Sequence, residues 1–277
     1  MGMTLRKING KVDNLSPFRL KSLSMKFRDY IEQVHVFTNQ RLAEGCGLSA
    51  ASAKTMLKRA VEAGSVERVR RGLYVSRTGR FATGNVDPFE LVFALDADAV
   101  LSFHSALEAH GVAHNVVSTC QFRSTAVKVR FEYSGIAYVP YAFAESAPMQ
   151  KLRGRSGLRI AVTTREQTIV DCLNHPERCG GIEEALMSVS LFPYIDSDAL
   201  LNLVSGGSAS LAARVGWLLE QKTDDWRIPP ETLEKLSRMT NGGPYKLDKN
   251  SRRSQGWSRR WKLCLPAYEE EVESWVL

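Results

Sequence analysis

The spacing of hydrophobic and polar positions in residues 38–77 predicts two short helices, a tight turn and a two-stranded ribbon. Thr38 and Ser49 are hydroxyl residues at the expected helix starts, where they can act as N-caps, and glycines follow the last apolar residue of each helix. Residues 66–75 then read as a hairpin with Arg71-Gly72 at its bend. This layout is typical of a winged helix-turn-helix.

The second predicted helix has an apolar side and a polar side. The apolar side is formed by Ala50, Ala53, Leu57, Ala60 and Val61. Small apolar residues let the helix pack closely, while a polar side can enter a major groove about 12 Å wide. The candidates for contacts with base edges are Ser52, Thr55 and Arg59, and those for the DNA backbone are Lys54 and Lys58. In the wing, the candidates for phosphates or a minor groove are Arg68, Arg70 and Arg71.

A helical hairpin with a solvated basic face is the alternative interpretation of this stretch. DNA binding is favoured because the caps, the glycine spacing and the basic ribbon agree with one another. The distribution of charge agrees as well: the first 80 residues hold 16 basic and 6 acidic residues, whereas the remainder holds 21 basic and 24 acidic residues. A localised cationic field is what counterion release from a polyanion requires.

Two domains and an α+β fold are predicted from the rest of the pattern. Residues 24–36 have helical spacing and support the helix-turn-helix, and residues 36–37 form a link. Glycine, asparagine and proline between residues 79 and 88 indicate a boundary. We therefore expect a winged helix-turn-helix in residues 1–80, with a basic arm before Ser24, and a mixed α/β domain in residues 86–277. A hairpin is predicted there from residues 127–133 and 136–143, followed by several amphipathic helices.

Composition limits the classes of protein that remain. Of the 277 residues, 44% are hydrophobic and 24% charged, as in ordinary globular proteins. Because there is neither an apolar run of membrane-spanning length nor an apolar segment after the basic start, we expect no membrane and a cytoplasmic location. Five scattered cysteines then read as reduced thiols. Cys172, His175 and Cys179 lack a fourth ligand at a usual spacing, so no metal and no cofactor are expected.

A catalytic site is hard to assemble from these residues. Two Asp-x-Asp pairs begin at Asp96 and Asp196, and such pairs can hold Mg²⁺ in nucleotidyl transfer. Each pair adjoins an apolar helical run, where capping carboxylates belong. His104 and His110 lie near Glu108, a position more typical of structural histidines. We therefore expect no enzyme activity and no catalytic residues.

The segment from Tyr245 to the C-terminus interleaves basic residues with Trp257 and Trp261. Exposed aromatic residues among cations suit single-stranded nucleic acid, so this basic tail is a candidate RNA contact. The favoured alternative is that the tryptophans belong to a core and the charges to its solvated rim.

Four blocks occur in order: VERVRRGLYVSR, LSFHSALEAHGV, VTTREQTIVDCLNHPERCGGIEEAL and ARVGWLLE. Together they resemble the AbiEi family of antitoxins and regulators of abortive-infection operons, from about Thr38 to about Glu220. The resemblance implies an autorepressor whose winged helix binds inverted repeats in its own promoter. It also implies a C-terminal antitoxin domain that counteracts a nucleotidyltransferase toxin of a type IV system without a stable complex. Self-association on DNA is a further candidate interaction. The arm before Ser24 has no counterpart in the resemblance.

Two other functions stay open at this point. One is a plain winged-helix transcription regulator with a ligand-sensing or dimerising C-terminal domain. The other is a nucleic-acid-processing enzyme that a winged helix targets to its substrate.

Overall fold

The structure is a computed structural model that describes residues 24–142, 147–252 and 254–276. It divides into two units, Met1–Gly84 and Asn85–Leu277. The sequence places the boundary between residues 80 and 86. The basic N-terminal arm expected before Ser24, and Arg253 of the basic tail, lie outside the described residues.

Residues 24–84 form a small mixed unit. Its elements are α1 (Phe27–Gln33), β1 (Val36–Thr38), α2 (Asn39–Cys46), α3 (Ala50–Glu62), β2 (Val66–Arg70), β3 (Leu73–Ser76) and a 3₁₀ turn (Gly79–Phe81). The three strands pair antiparallel in the order β1-β3-β2. The predicted helices, turn and hairpin are confirmed, so this unit is a winged helix-turn-helix.

The link predicted before α2 is wrong. Val36 and Phe37 were expected to form a link, yet they belong to β1 and pair with Val75 and Tyr74 of β3. A three-residue strand carries no period of its own, and its partner lies almost 40 residues away, so local spacing does not reveal it.

The core of the N-terminal unit joins all three helices to the sheet. Its buried members are Tyr30, Ile31, Phe37, Leu42, Cys46, Ala53, Leu57, Ala60 and Val66. The rings of Tyr30 and Phe37 meet edge to face, with their centroids 5.5 Å apart. Ala50 and Val61 are exposed instead of buried, so the apolar side of α3 is narrower than predicted. The close packing of α3 therefore rests on two alanines and Leu57.

The C-terminal unit is a mixed sheet followed by a helical layer and a small second sheet. Its elements are α4 (Pro88–Leu95), β4 (Val100–Leu101), α5 (His104–His110), β5 (Thr119–Ser124), β6 (Phe131–Tyr133), β7 (Ile136–Ala142), β8 (Met149–Arg153), β9 (Arg159–Thr163), α6 (Arg165–Asn174), α7 (Ile182–Ser190), α8 (Ser197–Ser205), α9 (Ala209–Gln221), α10 (Pro230–Met239), β10 (Tyr245–Lys246), β11 (Gly256–Ser258), β12 (Leu263–Leu265) and α11 (Glu269–Ser274).

The larger sheet has the strand order β6-β7-β5-β4-β9-β8. Parallel pairing of β5 with β7 and of β4 with β9 alternates with antiparallel pairing elsewhere. The predicted hairpin exists, but its first strand is only Phe131–Tyr133 instead of residues 127–133. Strands β5 and β8 were not predicted, because buried β5 does not alternate apolar with polar residues and β8 is a short edge strand.

Helices α5 to α10 and the second sheet share one hydrophobic core. That sheet has the order β10-β12-β11, and we call it the tail sheet. Trp261 is fully buried in this core, as the favoured alternative expected, whereas Trp257 is 46% exposed. In the described part of the chain, no helix is long and apolar enough to span a membrane.

Candidate nucleic-acid interface

The turn between α2 and α3 is fixed by backbone hydrogen bonds and a left-handed glycine. Gly47 ends α2 with φ +61°, a conformation that costs glycine little, and the Leu48 N–H donates to the carbonyl oxygen of Ala43 at 2.9 Å. Leu48 then packs against the core. Ser49 begins α3 as its N-cap, because its hydroxyl accepts from the Ser52 N–H at 3.1 Å. The orientation of α3 is therefore set by local sequence together with core packing.

Five candidate contact residues lie on one exposed side of α3: Ser52, Lys54, Thr55, Lys58 and Arg59. Their shared exposure follows from their helical spacing, since the opposite side is buried through Ala53, Leu57 and Ala60. The structure thus presents two hydroxyls and three cations on the solvent side of the helix that follows the turn.

The two hydroxyl groups differ in what they can offer to a base. The Ser49 hydroxyl donates to Ser52 Oγ at 2.9 Å, which leaves the Ser52 hydrogen available to an acceptor such as guanine N7 or O6. Thr55 Oγ1 donates to the Ala51 carbonyl oxygen at 3.1 Å, so its lone pairs can accept from an amino group, and its methyl suits a thymine methyl.

The cations on α3 are weakly held within the protein. Lys58 Nζ lies 3.9 Å from Glu62 Oε1, and both side chains are more than half exposed. Such an exposed pair contributes little and is screened by salt, so Lys58 can exchange it for a phosphate. Arg59 sits in the last turn of the helix, where a cation is favoured by the helix dipole.

The wing places its three arginines in unequal positions. Arg68 and Arg71 are exposed, whereas Arg70 is half-buried. A register irregularity between Arg68 and Arg70 interrupts the strand alternation of β2, as a β-bulge does when it re-aims a side chain. Arg68 and Arg71 are therefore the better placed of the three to reach a phosphate.

Arg77 joins the wing to the end of the unit, a role that sequence reasoning missed because no local pattern reveals it. Its guanidinium lies 2.8 Å from Glu67 Oε2 in β2, and Nη1 donates to the Gly84 carbonyl oxygen at 2.9 Å.

The phenol of Tyr30 is neutral beneath α2. Burial, together with nearby Cys46, raises the pKa of Tyr30 to about 12.

The carboxylates considered for catalysis accept hydrogen bonds from other groups of the C-terminal unit. Asp196 caps α8 by accepting from the Ala199 N–H at 2.9 Å. Asp96 accepts from the Asp98 N–H and from the Ser124 hydroxyl.

Two other groups that the sequence singled out are also held by neighbours. Cys172 and Cys179 contact each other in the core, Sγ to Sγ 3.2 Å, while His175 pairs with Glu177. Among the described residues, no three His, Cys, Asp or Glu side chains are grouped so as to hold a metal ion. His104 is fully buried, with its two ring nitrogens 3.4 Å from Glu108 and 3.6 Å from Glu184.

Comparison with known proteins supports the fold and the nature of the N-terminal unit. Residues 28–77 match the sequence model of a family described as a transcriptional regulator, AbiEi antitoxin. No curated protein sequence matches the chain.

A solved structure is similar over most of both chains. It is the crystal structure of the RV2827C protein from Mycobacterium tuberculosis, with a TM-score of 0.59 and 16% identity, covering 86% of this chain and 89% of that one. At that identity the likeness shows the fold alone. An α+β architecture, with a winged helix-turn-helix before a mixed α/β unit, is thus shared. The family match covers α1 to β3, so the N-terminal unit is similar to the AbiEi antitoxin family of transcriptional regulators.

Proposed function

We propose that this protein is a cytoplasmic DNA-binding autorepressor and antitoxin of a type IV toxin–antitoxin operon for abortive infection. It binds inverted repeats in its own promoter, associates with itself on that DNA and counteracts a nucleotidyltransferase toxin without a stable complex. The observation that carries the proposal is the exposed hydroxyl and cation side of α3, next to a basic wing, within the segment that matches the family.

The DNA half of the proposal assigns base contacts to α3 and phosphate contacts to the lysines of α3 and the arginines of the wing. Ser52, Thr55 and Arg59 offer a donor, an acceptor and a bidentate cation, which are the groups that distinguish base edges in a major groove. Exposed lysines on the same helix and Arg68 and Arg71 on the wing supply charge for phosphates, which sets affinity without selecting sequence.

The antitoxin half rests on the match to the family described as AbiEi antitoxin. The proposal assigns no catalytic role to the C-terminal unit. Asp96 and Asp196, the leading carboxylates of the two Asp-x-Asp pairs, already accept hydrogen bonds from protein groups. A carboxylate pair that caps backbone N–H groups is a weak candidate for a Mg²⁺ site. We therefore propose that the C-terminal unit acts by binding and not by catalysis.

The DNA half is tested by fluorescence anisotropy with the DNA upstream of the protein's own gene against a scrambled duplex, from about 50 to 200 mM salt. Arg59→Ala should lower the affinity for the upstream DNA by about 5- to 150-fold, which is the effect of losing one base contact. Its affinity for the scrambled duplex should fall far less. The double change Arg68→Ala with Arg71→Ala should weaken both and lower the salt slope by about 1.8, since each phosphate contributes about 0.9.

Arg238→Ala is the matched control, because it removes one charge from a side chain that is 80% exposed in α10. It should leave discrimination between the two DNAs unchanged. Equal, weak binding of the wild type to both duplexes would overturn the operator assignment.

The antitoxin half is tested in cells that express, from an unrelated promoter, the nucleotidyltransferase gene that the proposal assigns to the same operon. A full-length Arg59→Ala, Arg68→Ala, Arg71→Ala protein should still rescue growth, because antitoxicity is assigned to the other unit. Rescue by neither this protein nor the wild type would favour a plain transcription regulator.

A further inference from the structure

The tail sheet has two faces that its register distinguishes. Lys246 of β10, Cys264 of β12 and Trp257 of β11 lie opposite one another in one row across the three strands. Residues in register share a face of a sheet, and the neighbouring row points the other way. That second row contains Leu263, fully buried, and Ser258, 8% exposed, so it faces the core. The row of Lys246, Cys264 and Trp257 is therefore the outer face.

The outer face carries an exposed indole beside cations. Trp257 is 46% exposed, although an indole ring is one of the largest apolar groups a protein can bury. Lys246 is exposed at the other end of the row, about 10 Å away across three strands. A shallow cavity of about 70 Å³ opens on this side and is lined by Lys246, Arg252 and Cys264 among others, including Asp248.

Positive charge is more concentrated in residues 245–266 than in the rest of the C-terminal unit. Residues 245–266 contain seven basic residues and one acidic residue, within a remainder of the chain that is net acidic. Some of these cations form ion pairs or hydrogen bonds with other parts of the C-terminal unit. Arg260 pairs with Glu220 at 2.8 Å, and Lys249 Nζ donates to the Asn174 carbonyl oxygen at 2.6 Å.

Of the other described cations, Lys262 Nζ donates to the Thr240 carbonyl oxygen at 3.0 Å, whereas Lys246 lies on the outer face and Arg252 lines the cavity beside it. Lys246 Nζ donates to the Ser251 carbonyl oxygen at 2.9 Å, which uses one of its three N–H groups. Arg252 and Arg259 are exposed. A phosphate bound here would therefore meet side chains that are not committed to the core.

We propose that the outer face of the tail sheet binds single-stranded RNA, with a base stacked on Trp257 and the backbone phosphates held by Lys246 and Arg252. A flat aromatic ring on a sheet, with one cation in the same row and another at the adjoining cavity, is an arrangement that holds unstacked bases. In a duplex the bases are stacked on one another and cannot stack on an exposed indole. Binding of a duplex to this face would therefore depend on the cations alone. This surface and the DNA-facing side of α3 lie in different units, so the inference is independent of the proposed operator binding.

The experiment titrates full-length protein into a fluorescein-labelled oligouridine of about twelve nucleotides, and in parallel into a DNA duplex of equal length. Trp257→Ala should weaken oligouridine binding by about 5- to 150-fold, the loss expected for one stacked base, while Trp257→Phe keeps most of the affinity. The double change Lys246→Ala with Arg252→Ala should lower the salt slope for oligouridine by about 1.4, at about 0.7 per phosphate on a single strand.

Tyr194→Ala is the matched aromatic control, because Tyr194 is 59% exposed between α7 and α8 and should not affect oligouridine binding. The wing variant Arg68→Ala with Arg71→Ala should also bind oligouridine like the wild type. Circular dichroism melts check that Trp257→Ala is folded, and the phenylalanine variant separates stacking from stability. Unchanged oligouridine binding in Trp257→Ala, or equal losses on oligouridine and duplex, would overturn the proposal.

Discussion

A single methyl group added at Gly216 should separate the tail sheet from the helical core. Gly216 lies in the interior of α9, and a Cβ built there would meet three ring atoms of Trp261 at 2.1, 2.4 and 2.5 Å. Carbon atoms in contact sit about 3.5–4.0 Å apart, so the indole ring must retreat by roughly 1.5 Å. The ring is fully buried and its Nε1 donates to Glu220 Oε2 at 2.6 Å, so such a retreat breaks a specific anchor.

The size of the effect follows from two opposed terms. Alanine in a helix interior is about 1 kcal/mol more favourable than glycine. Overpacking a core costs up to about 3 kcal/mol, and complete expulsion of an indole of about 200 Å² costs about 5 kcal/mol at 25 cal/mol per Å². We therefore expect Gly216→Ala to lower the free energy of unfolding of the C-terminal unit by about 2–4 kcal/mol.

Urea unfolding followed by far-UV circular dichroism measures this loss. The control is Gly206→Ala, which has open space around its Cβ and an ordinary φ of −86°, and which should change stability by less than about 1 kcal/mol. In a Trp261→Leu background the methyl no longer meets the ring, so Gly216→Ala should become neutral or stabilising. A Gly216→Ala protein as stable as the wild type, or additive effects in the double variant, would refute the argument.

Three further predictions concern other contacts. Ser49→Ala removes the N-cap of α3 and should lower the stability of the N-terminal unit by about 1 kcal/mol in urea titrations, whereas Ser49→Asp should not. Burial lowers the pKa of His110, which therefore stays neutral in the fold; the wild type should lose stability as pH falls below about 6.5, and His110→Gln should flatten this dependence in melts from pH 8 to 5. Arg123→Met leaves Asp171 buried without its 2.8 Å partner and should cost about 3–5 kcal/mol at neutral pH. Because burial raises the pKa of Asp171, that loss should shrink in acid, and equal losses at both pH values would contradict the ion-pair explanation.

The helix-turn-helix could be predicted closely because its determinants are local. A hydroxyl at the start of each helix and a glycine after it fixed the bounds of α2 and α3 to within a residue or two. The exposed side of α3 follows from the same helical period, and so do the positions of Ser52, Thr55 and Arg59.

Strand β5, in the interior of the larger sheet, could not be predicted, because its polar residues find their partners far along the chain. In β5, Gln121 is buried and donates to the Arg178 carbonyl oxygen at 2.7 Å, and Arg123 is paired with Asp171. Local pattern marks such residues as exposed, whereas burial is tolerated once a distant group satisfies each hydrogen bond.

The amino-acid sequence by itself determined α2, α3 and the wing hairpin, since caps, glycines, helical period and the concentration of positive charge all act over a few residues. It left the tail undecided, because Trp257 and Trp261 are the same residue type in the same basic context. Only the tertiary structure distinguishes them. The ring of Trp261 is buried in the space that Gly216 leaves on α9, whereas Trp257 lies on the solvent side of β11. The reason is physical, since burial of a ring depends on a complementary space that distant residues create.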